Sequence, residues 1–130
     1  MHDTRLIGTW QSDKRRTKRE ILARRDIRPG KGRTALVNLF GKLTLRYTRT
    51  RCYSTLDGST DAAPLRIVAK DADSVVVIGT APVSGDALIY HVHFEGPTGS
   101  RKPPYYWVSI GGFREYFRRV RTRRATTRCG

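Results

Sequence analysis

After Gly41 the chain changes to a polar–apolar period of two, and this constrains the fold more than any other feature. Leu43, Leu45 and Tyr47 alternate with Thr44, Arg46 and Thr48. Side chains alternate across a strand, so this pattern predicts a half-buried strand, running on through Cys52 and Tyr53 to a turn at Asp57-Gly58. Further strands are predicted over 65–70 and 74–80, flanking the tight turn Asp71-Ala72-Asp73. Ser84-Gly85-Asp86 then turns into a strand from Ala87 to Glu95, and a Gly/Pro loop covers 96–104. Tyr105 to Ile110 and Phe113 to Val120 are joined by Gly111-Gly112, the signature of a two-residue hairpin of primed type. Upstream, Leu6 to Gln11 reads as a short first strand. Two helices are expected after it. One is capped by Ser12 and reaches about Arg25, with Ile21 and Leu22 on its apolar side; the other spans Arg33 to Phe40 and ends at Gly41. The first has a narrow apolar strip, which suits a helix lying on a surface or lidding an opening. About eight short strands, all linkable by hairpins, predict an all-β antiparallel up-and-down barrel with one or two short helices between its first and second strands.

A chain of 130 residues holds one core of this kind. The expected organisation is a single barrel over 1–120 and a basic tail over 121–130. No apolar run reaches membrane-spanning length and the N-terminus lacks the apolar stretch of a secretory signal, so the expectation is a cytoplasmic protein with no membrane span. Two cysteines, Cys52 and Cys129, are too few for a disulfide scaffold or a Cys-based zinc site.

The formal charge is +15, carried by 20 arginines and 6 lysines against 11 acids. It is uneven: residues 1–33 balance to +7, residues 114–130 to +6, and the 80 between them to only +2. A field of this sign attracts polyanions or acidic ligands; solubility with an arginine-rich coding bias accounts for it equally well. The run Arg118 to Arg124 suits a nucleic-acid arm or a solvated tail. No zinc-finger spacing, RNP motif or KH loop accompanies it.

The acids speak against catalysis. Asp57, Asp61, Asp71, Asp73 and Asp86 occupy turn-like contexts, where Asp serves local hydrogen bonds. No paired carboxylates, nucleophile elbow or phosphate-cradling loop appears. The expectation is a non-enzyme with no cofactor. His91-x-His93 places two imidazoles on one face of a strand, but a metal site needs a third ligand that the sequence does not place. These histidines are either lumen-lining hydrogen-bonding groups or plain surface or core residues.

The last hairpin sorts its residues into two faces. Ile110, Phe113, Val108, Glu115, Tyr106 and Phe117 share one, apolar apart from Glu115. Ser109, Arg114, Trp107, Tyr116, Tyr105 and Arg118 share the other, aromatic and cationic. Two arrangements are open. Small barrels are packed solid, which favours the apolar set inside. Alternatively the aromatic–basic set lines a lumen, where its arginines need an anionic guest or carboxylate partners.

Gly8-Thr9-Trp10 on the first strand resembles the Gly-x-Trp of the calycins, the lipocalins and fatty-acid-binding proteins. The order of elements and the total length are similar too. In fatty-acid-binding proteins a last-strand Arg-x-Tyr clamps a ligand carboxylate, and Arg114-Glu115-Tyr116 stands in a similar position. The resemblance therefore favours the aromatic–basic lumen. It implies a small apolar or amphipathic ligand, with an acidic group expected, held by Arg114 and Tyr116. Tyr105, Trp107, Tyr47 and Tyr90 would form the wall, with Arg118, His91 and His93 as further lining residues. Gly8 and Trp10 would close the barrel base, and a last-strand arginine (Arg114, Arg118 or Arg119) would stack on the Trp10 indole. The chain departs from the pattern in lacking a Thr-Asp-x-x-Tyr motif, since Thr60-Asp61 lies too early and no tyrosine follows. It also has fewer strands than fatty-acid-binding proteins.

Overall fold

The computed structural model describes residues 3–80, 85–110 and 112–121. Nine antiparallel strands form one sheet that curls into a nearly closed barrel. In chain order the elements are β1 (Gly8–Ser12), α1 (Lys14–Leu22), α2 (Lys31–Asn38), β2 (Thr44–Tyr47), β3 (Arg51–Leu56), β4 (Ser59–Pro64), β5 (Arg66–Lys70), β6 (Ser74–Thr80), β7 (Ala87–Glu95), β8 (Tyr105–Ile110) and β9 (Phe113–Val120). The strand order is β4-β3-β2-β1-β9-β8-β7-β6-β5, so the first and last strands pair at the centre of the sheet. The predicted all-β up-and-down barrel with two short helices after its first strand is the fold observed.

The barrel's seam lies between β4 and β5, the two edge strands, where β4 approaches β6. Both edges are blunted against pairing with other chains: β4 is short and ends in Pro64, and a register shift between Ile67 and Ala69 kinks β5. At the corner between them the Leu65 amide donates to the Thr50 carbonyl at 2.8 Å.

The structure corrects three local expectations. The strand predicted to run unbroken from Leu43 to Tyr53 is two strands. Thr48 Oγ1 accepts from the amides of Thr50 and Arg51 at 3.4 and 3.1 Å, and this side-chain turn folds β3 back on β2. Ser59–Pro64, with little apolar character, is a strand because β3 supplies its ladder. The helix cap is Asp13, whose carboxylate accepts from the Arg16 amide at 3.1 Å; Ser12 belongs to β1.

The core comprises Leu6, Trp10, Tyr47, Leu65, Ile67, Val75, Val77, Val92, Tyr106 and Phe117. β1, β2 and β5 to β9 contribute inward-facing residues to it, as the period of two requires, while β3 and β4 supply none of these ten. Beyond the end of β1, α1 takes over the edge of β9. The Asp13 amide donates to the Tyr116 carbonyl at 2.8 Å, and the Tyr116 amide donates to Thr17 Oγ1 at 2.9 Å. The strand's main chain thus stays paired where the sheet stops. The buried stripe of α1 is Thr17 and Ile21, four residues apart, while Leu22 is exposed. At the far end of α1, Arg24 donates to the Gly112 carbonyl, and after α2 the Phe40 ring meets Phe113 at 5.7 Å. The helices therefore cover the barrel end that carries the last hairpin's turn. No helix among the described residues is long and apolar enough to cross a membrane.

Candidate functional site

The opposite end of the barrel is plugged. Trp10 is fully buried, its indole N–H donates to the Leu6 carbonyl at 2.9 Å, and its ring meets Tyr106 edge-on at 4.7 Å. Trp10 lies opposite Arg119 in the β1–β9 ladder, so both point inward, and the Arg119 guanidinium sits 4.3 Å from the indole centroid. Its nitrogens donate to the carbonyls of Pro103 at 3.0 Å, Ile7 at 3.0 Å and Arg5 at 2.6 Å. A Cβ on Gly8 would stand 2.7 Å from Arg119 Nη1, and the backbone there has φ +136°. Glycine at position 8 is required both by that conformation and by the arginine filling the space beside it. Burial lowers the Arg119 pKa from its ordinary value, but the charge keeps carbonyl partners on all three nitrogens.

The last hairpin settles the question of faces. Its register is as predicted, with Val108 opposite Glu115 and Trp107 opposite Tyr116; Gly111 itself lies outside the described residues. Tyr106, Phe117 and Glu115 are buried inside the barrel. The aromatic–basic set is outside, which corrects the expectation of Arg114, Tyr116, Trp107, Tyr105, Arg118, His91 and His93 as lumen residues. Arg114 lies 4.0 Å over the Trp107 ring and 4.0 Å from Glu20 of α1. Trp107 stacks on His93 at 3.9 Å with 9° between planes, and His93 lies 3.9 Å from His91. His91 bonds Ser74 Oγ at 2.6 Å. Arg16 covers Tyr105 at 3.8 Å, and Tyr116 is buried against α1. Arg114 and Tyr116 do interact, but on the outer wall. Burial, then the charges of His91 and Arg114, lower the His93 pKa. The physical reason is α1: it needs an apolar and hydrogen-bonding wall to lie against, and the outer face of β8 and β9 supplies it.

Of the predicted wall residues, Tyr47 and Tyr90 do line the lumen. They belong to a cavity of about 350 Å³ in its helix-covered half, bounded also by Leu43, Leu45, Val108 and Phe117, with the exposed Leu88 and Ile89 at its mouth. The Tyr47 hydroxyl bonds those of Tyr106 at 3.0 Å and Tyr90 at 3.3 Å. Burial pushes all three phenols above their usual pKa, Tyr90 beyond the range reached in neutral solution. The Cys52 thiol, also in the wall, is raised by burial to about 11 and stays protonated.

No family model matches the chain, and neither a curated protein nor a solved structure does.

The one acidic lining residue, Glu115, is not among the predicted site residues. It is 7% exposed, and Oε2 accepts from the Ser12 hydroxyl at 3.2 Å. Burial raises its pKa from 4.5 to about 7, and the hydroxyl offsets only part of that. None of the cavity's lining residues is Lys, Arg or His. The signal was legible in the hairpin register, where Glu115 is the lone charge on an apolar face. Among the described residues no group of three metal-ligating side chains gathers. His2 and Cys129 lie outside the described residues.

Proposed function

We propose that the protein binds a small apolar or amphipathic molecule inside the barrel. The supporting observation is the cavity of about 350 Å³, walled by aliphatic and aromatic side chains with three tyrosine hydroxyls and one carboxyl converging on it. This is the make-up of small-molecule sites, at the lower end of their usual size. At about 30 Å³ per displaced water, it admits a guest of roughly a dozen non-hydrogen atoms. The lumen does not continue through the base, because Trp10 and Arg119 fill it there. The pairing of Gly8, Trp10 and Arg119 also supports the calycin resemblance, since that family sets a last-strand arginine against the first-strand tryptophan. Titration with the neutral fluorophore 2-methoxynaphthalene, which is of that size, tests the reading. Saturable enhancement is expected, and Ala63→Phe, which projects a ring into the cavity from β4, should abolish it without lowering the melting temperature. Equal binding by that variant would place the fluorophore elsewhere.

A second reading rests on a groove of about 1080 Å³ at the base, lined by Arg46, Arg49, Lys102, Arg119 and Arg121 with no acidic residue. Its charge suits a polyanion such as nucleic acid, whose binding would fall steeply with salt. Affinity for single-stranded RNA that is unchanged between 50 and 500 mM salt, on the order of the range over which counterion release acts, counts against it.

A further inference from the structure

We propose that the molecule held in the barrel carries a protonated amine on its apolar body and that Glu115 is its counter-ion. This rests on the reading of the lumen as a ligand site and names the chemistry of the ligand.

A buried carboxyl needs partners for its two oxygens, and a cation is the strongest of them. Among the described residues Glu115 has one, the Ser12 hydroxyl on Oε2 at 3.2 Å. Ser12 is itself committed, since its oxygen accepts from the Gly41 amide at 3.0 Å. The four ion pairs among the described residues all lie elsewhere, and none includes Glu115. The cations near Glu115 and its partner Ser12 are turned away, Arg118 by its place opposite Tyr105 on the outer face. Arg114 is held outside by Trp107 and Glu20, and Arg16 of α1 by Tyr105. Lys14 donates to Asn38 Oδ1 at 3.2 Å. In a chain of +15, a carboxyl kept free of every described arginine and lysine and faced into a cavity is available to a cation from outside.

The same geometry disfavours the acidic ligand that an inward Arg114 would have held. A carboxylate guest would meet Glu115 with no basic side chain to offset the repulsion. The cavity accordingly reverses the polarity of the whole surface. The outer positive field opposes an arriving amine, but it is screened over about 8 Å at physiological salt, whereas contact with Glu115 inside is screened far less.

Binding should depend on pH through Glu115 alone. The other titratable groups in the wall are Tyr47 on β2, Cys52 on β3, Tyr90 on β7 and Tyr106 on β8. Burial holds each of them uncharged around neutrality. From α1, Arg16 and Glu20 face the outer wall and Asp13 caps the helix. An alkylamine remains protonated in this range, as lysine does, so its affinity should rise as Glu115 ionises near pH 7.

Octylamine, octanol and octanoate share one apolar body, and calorimetric titration at pH 6 and pH 8 compares them directly. At pH 8 octylamine should bind on the order of 10–100-fold tighter than octanol, with octanoate weakest. The amine should lose much of that advantage at pH 6, while octanol changes little. In Glu115→Gln, octylamine should fall to the level of octanol and octanol should be retained. If octanol binds and octylamine shows no preference at pH 8 in the unaltered protein, the assignment of Glu115 is overturned while the lumen reading survives. If none of the three binds, both are overturned. The pH comparison needs no variant, so the proposal is exposed even if Glu115→Gln folds poorly.

Discussion

Each end of the barrel turns one charge inward, Arg119 half-buried and Glu115 buried, and they treat it in opposite ways. At the base, Arg119 donates to three main-chain carbonyls and lies on the Trp10 ring, and Gly8 leaves it room. At the helix-covered end, Glu115 has a single hydroxyl and looks into an open volume. A buried charge with every hydrogen bond made locks the structure around it, and one with bonds unmade is costly unless something arrives to complete them. The first arrangement holds the fold closed, and the second is where the proposed ligand would sit.

The largest effect should come from the base. Trp10→Ala removes a fully buried ring together with its stacking on Tyr106 and Arg119, at a cost of about 3–5 kcal/mol. Against total stabilities of about 5–15 kcal/mol, that should lower the thermal midpoint by many degrees or leave the chain unfolded. A shift of only a degree or two would remove the distinction between a structural base and a binding end.

The helix-covered end should show itself through pH. The Glu115 pKa is raised from 4.5 unfolded to about 7 folded, so the native state holds the extra proton between those values. Stability is therefore fullest below the unfolded pKa and falls as pH rises through the folded one. The total loss is on the order of 3 kcal/mol, from about 1.4 kcal/mol per pKa unit. Urea unfolding at pH 5 and pH 8 should reveal this loss in the unaltered protein and a much smaller one in Glu115→Gln. An equal loss in both would assign the pH effect to other groups.

Arg119→Lys keeps the charge but cannot serve three carbonyls with the same planar fork. It should cost about 1–3 kcal/mol, read as a lower urea midpoint, with binding of the neutral fluorophore unchanged. Loss of that binding would mean the two ends are coupled.

Smallest of all should be Arg114→Ala. Its guanidinium is half exposed over Trp107, a contact worth about 0.5–1 kcal/mol at such sites. Lumen binding should be unaffected. A large fall in affinity would return the ligand to the outer wall and undo the comparison.

Much of this architecture could be read along the chain. The alternation in Leu43 to Tyr47, the Asp71 to Asp73 turn and the Gly111-Gly112 hairpin each rest on contacts a few residues apart. β4 could not be read, because Ser-Thr-Asp-Ala-Ala-Pro becomes a strand only when β3 offers it a ladder. The break at Thr48 was equally hidden, since a threonine hydroxyl turning back on its own main chain leaves no periodic mark. In the site, the resemblance placed Tyr47, Tyr90, Arg114 and Tyr116 together inside; the two tyrosines of β2 and β7 line the lumen, whereas Arg114 and Tyr116 stand outside.

The sequence by itself determined the period of two, the hairpin order and the register of the last two strands. Tertiary structure alone decided which face of that last hairpin is the interior. Register fixes which side chains share a face, but the direction of curling depends on what each face must cover. Here the buried core of Trp10, Tyr47, Tyr106 and Phe117 claims the inside, and α1 needs the outside of β8 and β9 to lie on. Glu115 goes inward with its apolar neighbours, and Arg114 and Tyr116 go outward for the same reason.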